Sequence, residues 1–169
     1  MKRESKIWAI RAGKGGKADQ LFFKAKVIAL EDDSLGDLAS IEPSRDCFKR
    51  AYREEHQDGS SGGIANIAGK YFRFCVEVEP TDFVLYYRLE DRHFYVGKVV
   101  SSYHFNAGER YPHRRRTNWI ARFPKEGISV SAQRELGAAR TFFRVSRHYD
   151  EIVRVIESAE VFEMEFVRK

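Results

Sequence analysis

Cysteine is nearly absent from this chain. Cys47 and Cys75 are its only two, 28 positions apart, with neither a CxxC spacing nor an adjacent histidine. A structural zinc needs four ligands in tight clusters, so no such site is expected. Nothing in the cysteine usage implies an oxidising compartment. Both residues lie in stretches that read as helical, where a buried free thiol is the plain expectation. Long apolar runs are also lacking, so no segment reads as a bilayer span. The residues Met1-Lys2-Arg3-Glu4-Ser5 lead straight into a strand-like segment, which does not fit a signal peptide. The expectation is a soluble, cytoplasmic protein with no membrane partner.

Catalytic patterns are missing too. A metal-dependent nuclease of the common type carries an (Asp/Glu)-x-Lys triplet on a hairpin; the hairpin here offers Val96-Gly97-Lys98. His56, His93, His104, His113 and His148 are scattered, without a spacing that would hold a metal. There is no serine elbow and no phosphate loop. The nearest approach is Gly13-Lys14-Gly15-Gly16-Lys17, which follows a strand and opens a helix but lacks the GxxxxGK(S/T) spacing. It reads either as a contact for one backbone phosphate through Lys14 and Lys17, or as a tight turn that needs glycine. No catalytic residue, metal or cofactor is expected, and the chain alone does not read as an enzyme.

What is present is the composition of a globular domain. With 169 residues, 43% hydrophobic and 33% charged, the chain can bury roughly 70% of its unfolded surface as one unit. A net charge of +5 is only mildly basic, so the placement of the cations matters more than their sum. Residues 6–12 (KIWAIRA) alternate as a first strand. Gly15-Gly16 opens a short amphipathic helix, and Val27 to Leu30 forms a compact second strand. Ser44 caps a helix running to about His56. Residues 57–63 (QDGSSGG) read as a loop, followed by a helix over 64–76. Period-two alternation over 83–88 and 93–100 marks a hairpin, and 117–123 a further strand. A short helix (131–138), a short strand (142–145) and a final helix (149–157) follow, with Val161, Met164 and Phe166 as an edge strand. This order is not alternating βαβ. It points to an α+β domain, a curved mixed sheet or small barrel surrounded by helices. The domain covers residues 1–148, and 149–169 form a C-terminal extension or linker.

The densest feature is residues 110–119 (RYPHRRRTNW), where four arginines occur in seven residues among aromatics. Arginine grips phosphate bidentately and stacks on bases. On an extended segment Arg114 and Arg116 face one way, and Arg115 and Thr117 the other. The alternative is a solvated edge strand protected by its charge. Trp8 likewise has two readings, a core residue or the wall of a pocket that stacks an extruded base.

These residues form an ordered series. Trp8-Ala9-Ile10-Arg11-Ala12-Gly13 with Gly16 precedes Leu35-Gly36-Asp37-Leu38. Then come Ile64-Ala65-Asn66 with Gly69, Tyr71 and Arg73-Phe74, next Asp82-Phe83-Val84-Leu85 with Tyr95-Val96-Gly97, and last Tyr111-Pro112-His113-Arg114 before Trp119. The series, spanning about residues 6–145, resembles the N-terminal domain of Mrr-like modification-dependent restriction endonucleases, of the PUA/EVE-like superfamily. The resemblance implies a reader that flips a modified base, typically a modified cytosine, into an aromatic-walled pocket of a PUA/EVE-like fold. A nuclease domain or subunit elsewhere then cuts the double-stranded DNA.

Two positions depart from that pattern. Asp32 stands where relatives carry an aromatic before the Leu-Gly-Asp-Leu turn, and Ile67 where they often carry Trp. Asp32 reads either as a solvated loop acid or as a pocket floor that accepts from a base amino group. The expected pocket comprises Trp8, Arg11, Asp32, Asn66, Ile67 and Tyr71; the expected phosphate contacts are Lys14, Lys17, Arg114, Arg115 and Arg116. Two other functions fit the same residues. One is a sensor of a small nucleotide or modified nucleoside. The other is a protein-interaction domain of a defence complex, with Tyr103, Phe105 and the final helix as its surface.

Overall fold

A computed structural model describes residues 3–161. The strands are β1 (Ile7–Ile10), β2 (Val27–Leu30), β3 (Phe83–Arg88), β4 (His93–Val99), β5 (His104–Phe105), β6 (His113–Pro124), β7 (Phe142–Arg144) and β8 (Glu160–Val161). They form one mixed sheet in the order β2-β6-β4-β3-β1-β7, with β5 and β8 both added to β6. Among the described residues only β1 and β3 pair in parallel, and the other neighbour pairs are antiparallel. The helices are α1 (Asp19–Lys24), α2 (Arg45–Glu55), α3 (Ser61–Phe72), α4 (Val130–Leu136) and α5 (Tyr149–Ser158). The α+β expectation holds at this level, with the sheet curled into a half-barrel.

The curl has a local cause in the long strand β6. Its first residues, His113 to Arg116, pair with β2, whereas Thr117 to Pro124 pair with β4. One strand therefore turns the corner between two parts of the sheet. The register against β4 slips between Val96 and Gly97, and bulges of this kind bend and twist a strand. Sequence alternation locates β6 only from residue 117, because three successive arginines hide the period. The preceding helix also differs from expectation. Ser60 accepts from the Gly63 amide, so α3 starts within the presumed loop. It then widens into a π-helical turn over Arg73–Glu77. At α2, Ser44 is the cap expected, accepting from the Cys47 amide at 3.1 Å.

The sheet has a core on each face. Trp8, Ile10, Phe22, Phe23, Ile28, Phe48, Tyr71, Phe74 and Trp119 fill the first, beneath α1, α2 and α3. Ile7, Ala9, Leu85, Val96, Phe143 and Ile152 fill the second, beneath α4 and α5. Ile152 of α5 is fully buried, and Tyr149 Oη donates to the Ser5 carbonyl at 2.6 Å. The final helix is therefore packed into the domain. Val161 pairs with Ala121 as part of the edge strand; Met164 and Phe166 lie outside the described residues.

Candidate binding groove

Where β1 and β2 end, the chain leaves the sheet and a groove of about 770 Å³ opens toward α3. Its volume lies within the range of small-ligand sites. The glycine turn after β1 forms one wall. At Gly13 (φ 69°), a Cβ would stand 2.4 Å from the Tyr111 hydroxyl, so only glycine fits. The segment after β2 forms the floor, and Tyr52 of α2 with Ile67, Lys70 and Tyr71 of α3 forms the opposite wall.

Asp32 is set into the floor by an unusual backbone. Its φ is +83°, a conformation that costs free energy for any residue with a Cβ but that aspartate tolerates better than most. A buried relay holds it there. The Leu38 amide donates to Tyr103 Oη at 3.1 Å, and Tyr103 Oη lies 2.8 Å from His113 Nδ1. His113 Nε2 lies 2.6 Å from the Asp32 carbonyl. A carbonyl can only accept, so Nε2 carries the proton and Nδ1 accepts from tyrosine. Burial lowers the His113 pKa, which keeps the ring neutral, as the relay requires. The Asp32 carboxylate accepts from the Ser34 amide at 2.8 Å and from Tyr71 Oη at 3.4 Å. Tyr71 Oη also reaches the Glu31 carbonyl at 3.0 Å.

Lys70 faces the same space. Its Nζ sits 4.5 Å from the centre of the Tyr71 ring. Among the described residues no carboxylate forms an ion pair with it. Burial lowers its pKa, against the opposing pull of Asp32 and Glu31. Tyr111 completes the set: it is buried, and its hydroxyl has no hydrogen-bond partner. At the mouth, Arg11 donates to the Ala138 carbonyl at 3.0 Å, and Lys14 is exposed.

The expected site residues divide. Arg11, Asp32, Ile67, Tyr71 and Lys14 line the groove. Trp8 does not. It is fully buried, its Nε1 donates to Asp82 at 3.0 Å, and it stacks on Phe142 at 5.0 Å, so its core reading is the correct one. Asn66 is exposed on α3, outside the groove lining. Arg115 is not a phosphate contact either. It is 2% exposed and donates to the Phe74, Cys75 and Ser101 carbonyls. Two of these belong to the π-helical turn, whose last carbonyls lack helical partners. Arg114 is half-buried and spends its Nε on the Tyr111 carbonyl at 2.9 Å. Lys17 and Arg116 are exposed, and Arg116 pairs opposite Val27, at the far end of β2. Tyr103, expected on an interaction surface, instead has its hydroxyl in the relay beneath Asp32.

Lys70, Tyr111 and Tyr52 escaped the sequence reading. Lys70 follows Ile67 by three positions, so helical spacing already put it on the groove-facing stripe. Elsewhere, His148 Nε2 lies 3.0 Å from Ser131 Oγ and its Nδ1 3.5 Å from Glu135 Oε2, which superficially resembles a catalytic triad. Glu135, however, accepts from the Arg147 and His148 amides at 3.0 and 3.3 Å, pinning the start of α5, and the groove does not reach these residues. Both cysteines are free and half-buried, and burial pushes the Cys75 thiol up to about 11.

A family model described as a domain of unknown function (DUF8426) matches residues 8–146. No curated protein and no solved structure matches the chain. No described helix is long and apolar enough to cross a membrane.

Proposed function

The chain belongs to the DUF8426 family, which carries no known activity, and from its own groove and charges we propose that it is a DNA-reading domain. In this reading the fold is of the PUA/EVE-like kind. The groove receives one nucleotide turned out of the duplex, probed for a modification, chiefly on cytosine. Cutting falls to a nuclease domain or subunit elsewhere. The observation that carries the proposal is the groove at the ends of β1 and β2, whose lining holds the Asp32 carboxylate and Lys70, which form no ion pair with each other.

Exposed cations beside it support a duplex partner. Lys14, Lys17 and Arg116 are free to meet phosphates, and Arg116 stands about 10 Å from the Leu30 end of β2, three strand residues away. Turning a base out costs a few kcal/mol, which groove contacts must return without the usual pair of stacking aromatics. Tyr52, Tyr71, Tyr86, Tyr87, Phe94, Tyr111 and Phe143 bring rings to the lining, but Asp32 and Ile67 bring none. That departure favours a second reading, a sensor of a free nucleoside or nucleotide in the same groove.

Fluorescence anisotropy with plain, cytosine-modified and adenine-methylated duplexes at two salt concentrations decides between them. One modified duplex should bind tightest. The slope of log affinity against log salt should fall by about 0.9 in Lys17→Ala, for all duplexes alike. Equal affinity for all three duplexes would sink modification reading, and no duplex binding at low salt would sink DNA reading altogether.

A further inference from the structure

We infer that the groove selects a base presenting an amino group beside a ring-nitrogen acceptor, the edge of a 4-aminopyrimidine or 6-aminopurine, with Asp32 accepting from the amino group and Lys70 donating to the ring nitrogen. This rests on the DNA-reading proposal but specifies which chemistry is read.

The hydrogen-bond inventory supplies the reason. A carboxylate offers about four acceptor positions, and Asp32 uses two, for the Ser34 amide and the Tyr71 hydroxyl. Among the described residues nothing else donates to the remaining lone pairs. Lys70 is the complement: it carries three N–H donors and, among the described residues, forms no hydrogen bond or ion pair, its Nζ lying 4.5 Å from the centre of the Tyr71 ring. The two groups sense each other's charge but do not pair. An acceptor and a donor lining one groove are the chemical complement of the amino group and ring nitrogen of cytosine or adenine.

Uracil and thymine present the reverse pattern. Their O4 would face the Asp32 carboxylate, and their N3–H would face the Lys70 ammonium, leaving both protein groups mispaired. Sites built to hydrogen-bond one edge reject its inverse strongly, because the buried polar groups are then unsatisfied.

A duplex with a single bulged cytosine, compared with the same duplex carrying a bulged uracil, isolates the amino-for-oxo exchange and lowers the cost of unstacking. Wild-type protein should prefer the cytosine bulge by about 10- to 100-fold. Asp32→Asn suits the positive φ and retains the oxygen that accepts from Ser34, so it should fold; thermal melting checks this. Its amide can turn an N–H toward O4, and the preference should fall below about threefold or reverse. Thermal shift with free cytidine and uridine forms the second arm. Equal affinity for the two bulges, or an undiminished preference in Asp32→Asn, overturns the inference and leaves DNA reading intact. No duplex binding, with cytidine stabilising more than uridine, overturns DNA reading and leaves the inference standing. No binding to either class removes both.

Discussion

Asp82 is the residue on which the first strand is hung. Its carboxyl is fully buried, where an uncompensated charge would not be tolerated. Trp8 Nε1, the Lys6 and Glu79 amides at 3.0 Å each, and Arg3 at 2.9 Å all donate to it. Burial pushes its pKa up, but these donors outweigh burial and hold it below the ordinary carboxylate value. A group depressed in the folded state adds stability above its unfolded pKa and loses it as the pH falls through the folded one. Asp82→Asn should therefore lower urea-unfolding stability at pH 7 by about 1–3 kcal/mol, the cost of mismatched buried partners. The deficit should begin to shrink below about pH 4, where the unfolded chain's carboxyl takes up its proton, and should vanish once the pH falls through the lower folded pKa. A deficit unchanged from pH 7 to pH 3 would show that the charge is not what Asp82 contributes. The same network explains why Trp8 misleads on sequence alone. An indole in a half-amphipathic strand suits a pocket wall as well as a core, and only the carboxylate 74 positions away decides. Arg115 misleads for a similar reason: nothing local shows that a helix 40 positions earlier ends in carbonyls needing a planar triple donor. Asp32, Tyr71 and Ile67 were legible because a turn and a helical stripe carry them. Lys70 was hidden by the habit of assigning lysine to solvent.

Among the elements, β4 shows most clearly how a glycine shapes the sheet. At Gly97 an added Cβ would lie 2.4 Å from Thr117 Cγ2, 3.0 Å from Val84 and 3.1 Å from Trp119. All three are buried, so none can swing away. Gly97 also sits at the register slip against β6, where close backbone approach lets the sheet coil. Gly97→Ala should cost about 1–3 kcal/mol by overpacking, against the few tenths expected at an exposed strand site. Guanidinium unfolding of Gly97→Ala beside Asn118→Ala, on the exposed face of β6, would measure the contrast; equal effects would refute the steric account. Element types were largely legible: the hairpin by its alternation, α2 by Ser44, β2 by its apolar run. Besides the start of α3, two boundaries were not. β6 begins among arginines because Arg115 points inward to cap a helix end, a long-range need that breaks the apolar period. The π-helical turn over Arg73–Glu77 widens a helix whose sequence reads as regular.

For the molecule as a whole, the groove touches both cores. It opens at the ends of β1 and β2 against α3 of the first, and it also takes in Leu85, Leu136 and Phe143 of the second, which α5 closes. The place of α5 could not be read from periodicity, because α5 looks like an extension until Ile152 is seen beside Ile7 and Leu85 in the second core. It has a measurable consequence. Ile152 is fully buried, so Ile152→Ala removes three carbons' worth of packing and should cost about 2–5 kcal/mol. For a domain of this size each kcal/mol lowers Tm by about 2–4 °C, and calorimetry should find a fall of about 4–20 °C. Asp32, Lys70 and Tyr71 lie outside the second core, so below the new Tm the affinity per folded molecule for the duplex preferred under the DNA-reading proposal should stay within about twofold of wild type. A small change in Tm would mean that α5 is an appendage after all. A large loss of affinity at low temperature would mean that the sheet transmits strain between its faces, and that the groove depends on the helix that closes the far side.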